Sequence, residues 1–204
     1  IYGSALGRLM LKPFVSPWFS RLGGFVLDSR ASSVLVKPFM KLNRIRLDGC
    51  EKTEFDSFND FFKRKMIPEA RPIAEAGLIA PCDGRLSVYP IREDGWFHVK
   101  NTPYNAASLL KSQLLMDKFD GGYLWLFRLC VDDYHRYVYP VTGRKSKNIH
   151  IPGIFHTVNP VANDVYPIYK ENTREYCLIQ TEDYGTVLMM EVGALLVGKI
   201  QHHS

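Results

Sequence analysis

A chain of 204 residues, 46% apolar and 23% charged, can bury a sizeable core in one domain and belongs to neither the disordered nor the fibrous classes. Its net charge of +5 is uneven: residues 1–72 hold 13 Lys and Arg against 7 Asp and Glu, whereas residues 73–204 hold 13 against 14. No apolar run reaches the roughly 18 residues that a membrane-spanning helix needs, and the first residues lack the order of a secretion signal. Cys50, Cys82, Cys130 and Cys177 lie far apart with no CxxC pair, which reads as reduced thiols rather than a zinc site or a disulfide framework.

Residues 1–70 are predicted to be helical. Leu6, Leu9, Met10 and Phe14, then Phe19, Leu22, Phe25 and Val26, recur at three- and four-residue steps, and Pro13 and Pro17 divide the run. A second helix is predicted over 30–43. A third starts at Asp56 or Ser57, either of which can cap a turn carrying Phe58, Phe61 and Phe62. Two readings of these apolar stripes stand open: a helical cap on the domain's own core, or amphipathic interfacial helices, suggested by Trp18 and Phe19 beside the basic excess.

After Pro68 and Pro72 the pattern changes to short strands, predicted at 78–80, 86–89, 96–99, 123–130, 137–139, 176–180, 187–192 and 195–200, with one helix at 105–115. Gly193 and Gly198 are expected where backbones approach closely within the sheet. The expected fold class is α+β: a β-rich antiparallel or mixed sheet domain over 71–204 behind an N-terminal layer of amphipathic helices over 1–70.

Two polar residues stand at the edges of apolar runs. Asp83 lies in Ala80-Pro81-Cys82-Asp83-Gly84-Arg85, where it could simply bond its own turn. His135 lies in Val131-Asp132-Asp133-Tyr134-His135-Arg136-Tyr137. An acid and an imidazole together have a clear use, because the carboxylate fixes the tautomer and stabilises the protonated ring, making a base for a hydroxyl nucleophile. His98, His150, His202 and His203 have weaker claims; adjacent imidazoles point to opposite faces of a strand, so no metal site is expected. No Walker or GxGxxG loop is present, which removes nucleotide chemistry.

Taken in order with Ser57-Phe58-Asn59-Asp60-Phe61-Phe62, His156-Thr157-Val158-Asn159-Pro160 and Glu191-Val192-Gly193-Ala194-Leu195-Leu196-Val197-Gly198-Lys199-Ile200, these two segments make five motifs. From about residue 55 onward the chain resembles the pyruvoyl-dependent phosphatidylserine decarboxylases. The resemblance implies a carboxy-lyase of phospholipid biosynthesis, made as a zymogen. In that family a serine after a glycine near the C-terminus attacks the preceding carbonyl, the ester eliminates, and a large β subunit separates from a small α subunit headed by a pyruvoyl group. That ketone forms a Schiff base with phosphatidylserine and takes up electrons as carbon dioxide leaves, giving phosphatidylethanolamine. The implied partners are phosphatidylserine and a membrane surface, the cleaved α subunit and a second copy in a homodimer, with no nucleic acid. The implied location is peripheral, at the cytoplasmic face of a bacterial membrane.

Two departures matter. No Gly-Ser-Thr cleavage motif is present, and Ser204 follows His203 rather than Gly, so the pyruvoyl-forming serine is expected beyond residue 204 and the chain reads as an inactive fragment by itself. Many relatives carry a further histidine three residues after the one matched by His135, and Val138 stands there. His156, where many relatives have a serine, either replaces that imidazole or is a structural histidine. Asp83, His135 and His156 are therefore the candidate catalytic residues. A non-enzymatic lipid-binding module of the same fold and an Asp-His-Ser hydrolase remain the alternatives, though no G-x-S-x-G elbow supports the latter.

Overall fold

The computed structural model describes residues 16–92, 95–99, 102–155 and 168–194. Ser16 opens the first helix, Pro17–Asp28, by accepting the Phe19 N–H at 3.3 Å. Pro17 at the first helical position forfeits no hydrogen bond, since that N–H has no partner in any helix. A 3-10 turn, Arg30–Leu35, then leads into the helix Val36–Asn43, which stops where Arg44 takes a left-handed conformation at φ 56°. Both lie within the span predicted as one helix.

The segment Ser57-Phe58-Asn59-Asp60-Phe61-Phe62 joins these pieces, and each residue has its own job. Ser57 caps the Phe58–Phe62 helix through the Asp60 N–H. The Phe58 N–H reaches the buried Ser32 hydroxyl at 2.9 Å. Asn59 donates to the Gly24 carbonyl and to Asp28 on the first helix. Asp60 accepts from Lys52 and from the Asp56 N–H; burial pushes its carboxyl up, but these two bonds outweigh it and the net direction is down. Phe61 is wholly buried with Val36 and Ile45, and Phe39 and Phe58 meet edge to face at 5.0 Å.

Among the described residues eight strands follow, and every pairing between them is antiparallel: β1 (Arg85–Pro90), β2 (Trp96–Val99), β3 (Thr102–Asn105), β4 (Tyr123–Arg128), β5 (Arg144–Lys145), β6 (Ile149–Ile151), β7 (Arg174–Gln180) and β8 (Thr186–Val192). β1 pairs with β4, β2 with β3, and β7 holds β5, β6 and β8 around it. The α+β class expected from the sequence is the class observed. One core gathers Phe97, Val99, Tyr104, Ala106 and Leu109, with Leu124 and Leu126 packed against it. Another gathers Cys177, Ile179 and Met189 beneath Tyr137.

Three local differences from the expected elements have physical causes. The helix predicted over 105–115 is two short ones, Ala106–Leu110 and Gln113–Met116, because Lys111 turns left-handed at φ 51° and Ser112 starts a new cap by accepting from Leu115. The strands predicted at 78–80 and 137–139 lie side by side, but each pair makes a single bond: Ile79 N–H to the Pro140 carbonyl at 2.9 Å, and Val138 N–H to the Pro81 carbonyl at 2.8 Å. A regular pair would exchange two bonds, and the second donor in each case would be a proline nitrogen, which carries no hydrogen. The short strands β3, β5 and β6 went unpredicted; Pro103 in β3 and the brevity of the other two hide the alternation. The strand predicted at 195–200, with Gly198, lies outside the described residues.

Arg174 is a structural cation in the interior. It is 1% exposed, and burial pushes its pKa down. Its guanidinium donates to the carbonyls of Leu109, Lys170 and Asn172 at 2.7–2.9 Å, tying the end of the Ala106–Leu110 helix to β7. Gly193 allows the close approach expected of it: a Cβ there would lie 2.8 Å from the Phe155 ring and 3.2 Å from the Thr173 carbonyl.

Candidate active site

The two proline-limited bonds set the geometry of the candidate site, because they align 79–81 against 138–140 in antiparallel sense. Gly84 ends the segment at φ 131°, and a Cβ there would stand 2.9 Å from the Arg128 carbonyl, so the backbone can turn into β1 only without a side chain.

Asp83 is held by Arg71 in a two-pronged ion pair: Nε to Oδ1 at 2.9 Å and Nη2 to Oδ2 at 2.6 Å. Arg71 directly follows the 3-10 turn Pro68–Ala70, and its Nη1 donates to the Ala70 carbonyl at 2.7 Å. Its guanidinium also lies 5.8 Å from the centre of the Tyr134 ring. The hydrogen bonds that Asp83 accepts hold the guanidinium more firmly protonated, against a smaller opposing effect of burial. The pair is partly exposed, so its contribution to stability is small; what the fork supplies is orientation. Beside it, Cys82 has its thiol pushed up to about 11 by burial first and then by the charges of Asp83 and Asp133.

His135 follows Tyr134 and points elsewhere. Its Nδ1 is 2.9 Å from the Asp133 carbonyl oxygen. A carbonyl only accepts, so Nδ1 carries the proton and the neutral ring presents an unprotonated Nε2. The Phe62 ring covers the imidazole at 4.0 Å between centroids, tilted by 38°. Burial pushes the His135 pKa down; the Asp133 carbonyl pulls it up, and the positive charge of Arg64 pushes it down again. At neutral pH this is a base ready to take a proton.

Asp83 and His135 thus sit on neighbouring segments without a direct hydrogen bond: the partner of Asp83 is Arg71, and those of His135 are Asp133 and Phe62. Tyr134 lies toward the Arg71–Asp83 pair, whereas His135 packs on Phe62 and the neighbouring Arg136 donates to the Lys63 carbonyl at 2.9 Å. His98 is exposed on β2, and His150 on β6 faces Glu175 of β7 at 3.7 Å. His156, His202 and His203 lie outside the described residues. The sequence reading missed Arg64 and Arg71. Their only signal was a place in a basic N-terminal third, whereas their partners lie far along the chain.

An oriented carboxylate and a neutral imidazole on neighbouring segments are the side chains here that acid–base chemistry could use. The sequence model of the phosphatidylserine decarboxylase family matches residues 58–204, a span that contains both groups. Phosphatidylserine decarboxylase proenzyme 2 of Clostridium acetobutylicum is 39% identical over 207 residues, covering 100% of this chain and 71% of that protein. The proenzyme of Clostridium perfringens is 37% identical over 206 residues, 98% of this chain and 70% of that protein. That of Chlamydia felis is 37% identical over 207 residues, 98% and 69%. The chain belongs to the phosphatidylserine decarboxylase family.

Proposed function

We propose that this chain forms the larger part of a proenzyme that matures by cutting itself and then removes carbon dioxide from phosphatidylserine, leaving phosphatidylethanolamine. The observation that carries this is the family match over 58–204, with relatives aligned along the whole chain. The family implies a pyruvoyl cofactor, which supplies a ketone that accepts electrons as the carboxylate leaves. The neutral, half-buried imidazole of His135, with Nε2 free of hydrogen, fits the need of such a group for a neighbouring proton acceptor. The serine that becomes the pyruvoyl group is assigned to the small α subunit, beyond residue 204.

The division of labour is taken from the family resemblance. Asp83, fixed by Arg71, serves self-cleavage, where a serine hydroxyl must lose its proton. His135, buried under Phe62 with Nε2 free of hydrogen, serves proton transfer to and from the substrate. His156 is assigned with Asp83, in place of the imidazole that Val138 lacks. The test uses the complete proenzyme, denaturing gels and carbon dioxide release from phosphatidylserine vesicles. Asp83→Ala and His156→Ala should remain uncut. His135→Ala should cut at least in part, yet lose about a hundredfold or more of its turnover, the usual worth of a general acid–base group. A wild-type proenzyme that neither cuts nor releases carbon dioxide would end the reading. If His156→Ala cuts normally while His135→Ala does not, the two roles are exchanged.

The N-terminal helices are assigned to the membrane surface. Trp18, Phe25, Val34 and Leu42 are exposed there, interspersed with Arg21, Arg30, Lys37 and Lys41, a composition suited to anionic lipid. Among the described residues no helix is long and apolar enough to cross a membrane.

A further inference from the structure

We propose that Arg64 is a positioning residue for His135, fixing which of its ring nitrogens carries the proton. The inference rests on the reading of His135 as the proton-transfer group. Arg64 lies one residue past the Lys63 cap of the Phe58–Phe62 helix and is only 5% exposed. A guanidinium so deeply buried calls for a compensating carboxylate, yet no acid lies within ion-pairing distance of it among the described residues. Its Nη2 instead donates to two successive main-chain carbonyls, Asp132 at 3.2 Å and Asp133 at 3.3 Å. The Phe61 ring lies 5.3 Å beneath the guanidinium.

The Asp133 carbonyl is shared. One lone pair takes the Arg64 N–H and the other takes the Nδ1–H of His135 at 2.9 Å. The arginine therefore fixes the turn that fixes the tautomer. A second effect adds to the first. The groups whose charges His135 feels are Arg64, from the Phe58–Phe62 helix side, and Asp133 and Asp132, from its own turn. The side-chain carboxylate of Asp133 is engaged with the Cys130 N–H. A second positive charge beside the buried guanidinium is unfavourable, so Arg64 opposes protonation of the imidazole while its hydrogen bond orients it. This also accounts for the pairing of two distant motifs: Phe62 covers the ring and Arg64, two residues on, sets its proton.

The sign of the test follows. Removing the charge raises the His135 pKa, so a base that must be neutral is lost at a higher pH, and the acid limb of the turnover profile moves up. In the complete, self-cleaved enzyme, Arg64→Met should lose more turnover at about pH 6 than at about pH 8, while Arg64→Lys, which keeps the charge, should hold the limb close to the wild-type position. A folded Arg64→Met enzyme with an unmoved acid limb would overturn the proposal. Should that variant fail to fold, nitrogen-15 spectra of His135 in the wild-type enzyme decide the matter. A protonated Nδ1 in the neutral ring is expected, and a protonated Nε2 refutes the carbonyl bridge. His135→Ala keeps the two ideas apart. If that variant retains turnover, the catalytic reading fails while the spectra still judge Arg64. If turnover is lost but the Arg64→Met limb stays put, only the Arg64 proposal fails.

Discussion

Cys82 offers a residue-scale readout of the Asp83 carboxylate. Its thiol is pushed up to about 11 by burial first, then by Asp83 and Asp133, so little of it is thiolate at neutral pH. Asp83→Asn removes one of the two charges that disfavour the thiolate. The Cys82 pKa should fall, and alkylation by iodoacetamide at about pH 8 should run faster than in the wild-type chain, measured by mass spectrometry of the Cys82 peptide. An unchanged rate would mean that the thiol does not sense that carboxylate. Asp83 and His135 could be picked out as candidates in the sequence because each sits in a short motif at the edge of an apolar run. Arg64 and Arg71 were not: an arginine's role depends on which acceptors meet it, and here those acceptors lie 68 and 12 residues further along the chain. Charge counting could only add both to the basic excess of residues 1–72, whereas Arg64 is buried and Arg71 is locked to Asp83.

Elements were legible where local chemistry decides and were misread where backbone donors decide. The cap at Ser57 and the strands 86–89 and 96–99 could be read from single side chains and alternation. The segments 78–80 and 137–139 have strand-like sequences, yet Pro81 and Pro140 withhold the second hydrogen bond of each pair, so they run together without forming a ladder. The split of the 105–115 helix likewise rests on a left-handed lysine, which no residue preference announces. Two glycines test how far element geometry governs stability. Gly24 lies within the Pro17–Asp28 helix with open space where a Cβ would stand, so Gly24→Ala should stabilise by about 0.5–1 kcal/mol through helix preference alone. Gly84 combines a φ of 131° with the Arg128 backbone 2.9 Å from its would-be Cβ, so Gly84→Ala should cost about 1–3 kcal/mol. Urea unfolding of the two variants checks both; equal effects of one sign would show that neither environment matters.

For the whole molecule, the α+β class and the helical character of the N-terminal part were legible because periodicity survives in any environment. What covers the outward apolar side chains was not, since a helix facing a core and one facing lipid share a pattern. The structure separates the two populations: Phe61, Val36 and Ile45 go inward, while Trp18, Phe25 and Leu42 are 70%, 77% and 82% exposed. Magnitudes then say which force should dominate at a membrane. Burying one such side chain is worth about 2 kcal/mol, or about 6 for three. A lysine or arginine near an anionic surface contributes about 1 kcal/mol and is screened by salt. If these helices are the contact, replacing Trp18, Phe25 and Leu42 together with serine should abolish co-sedimentation with phosphatidylserine vesicles, and about 0.5 M salt should only weaken wild-type binding. Because the three side chains are exposed, the variant should keep its folded stability, so lost binding cannot be blamed on unfolding. Undiminished binding by the triple variant would place the membrane contact elsewhere on the protein. Binding abolished by salt alone would mean that the basic groups hold the surface and the aromatic side chains do not enter it.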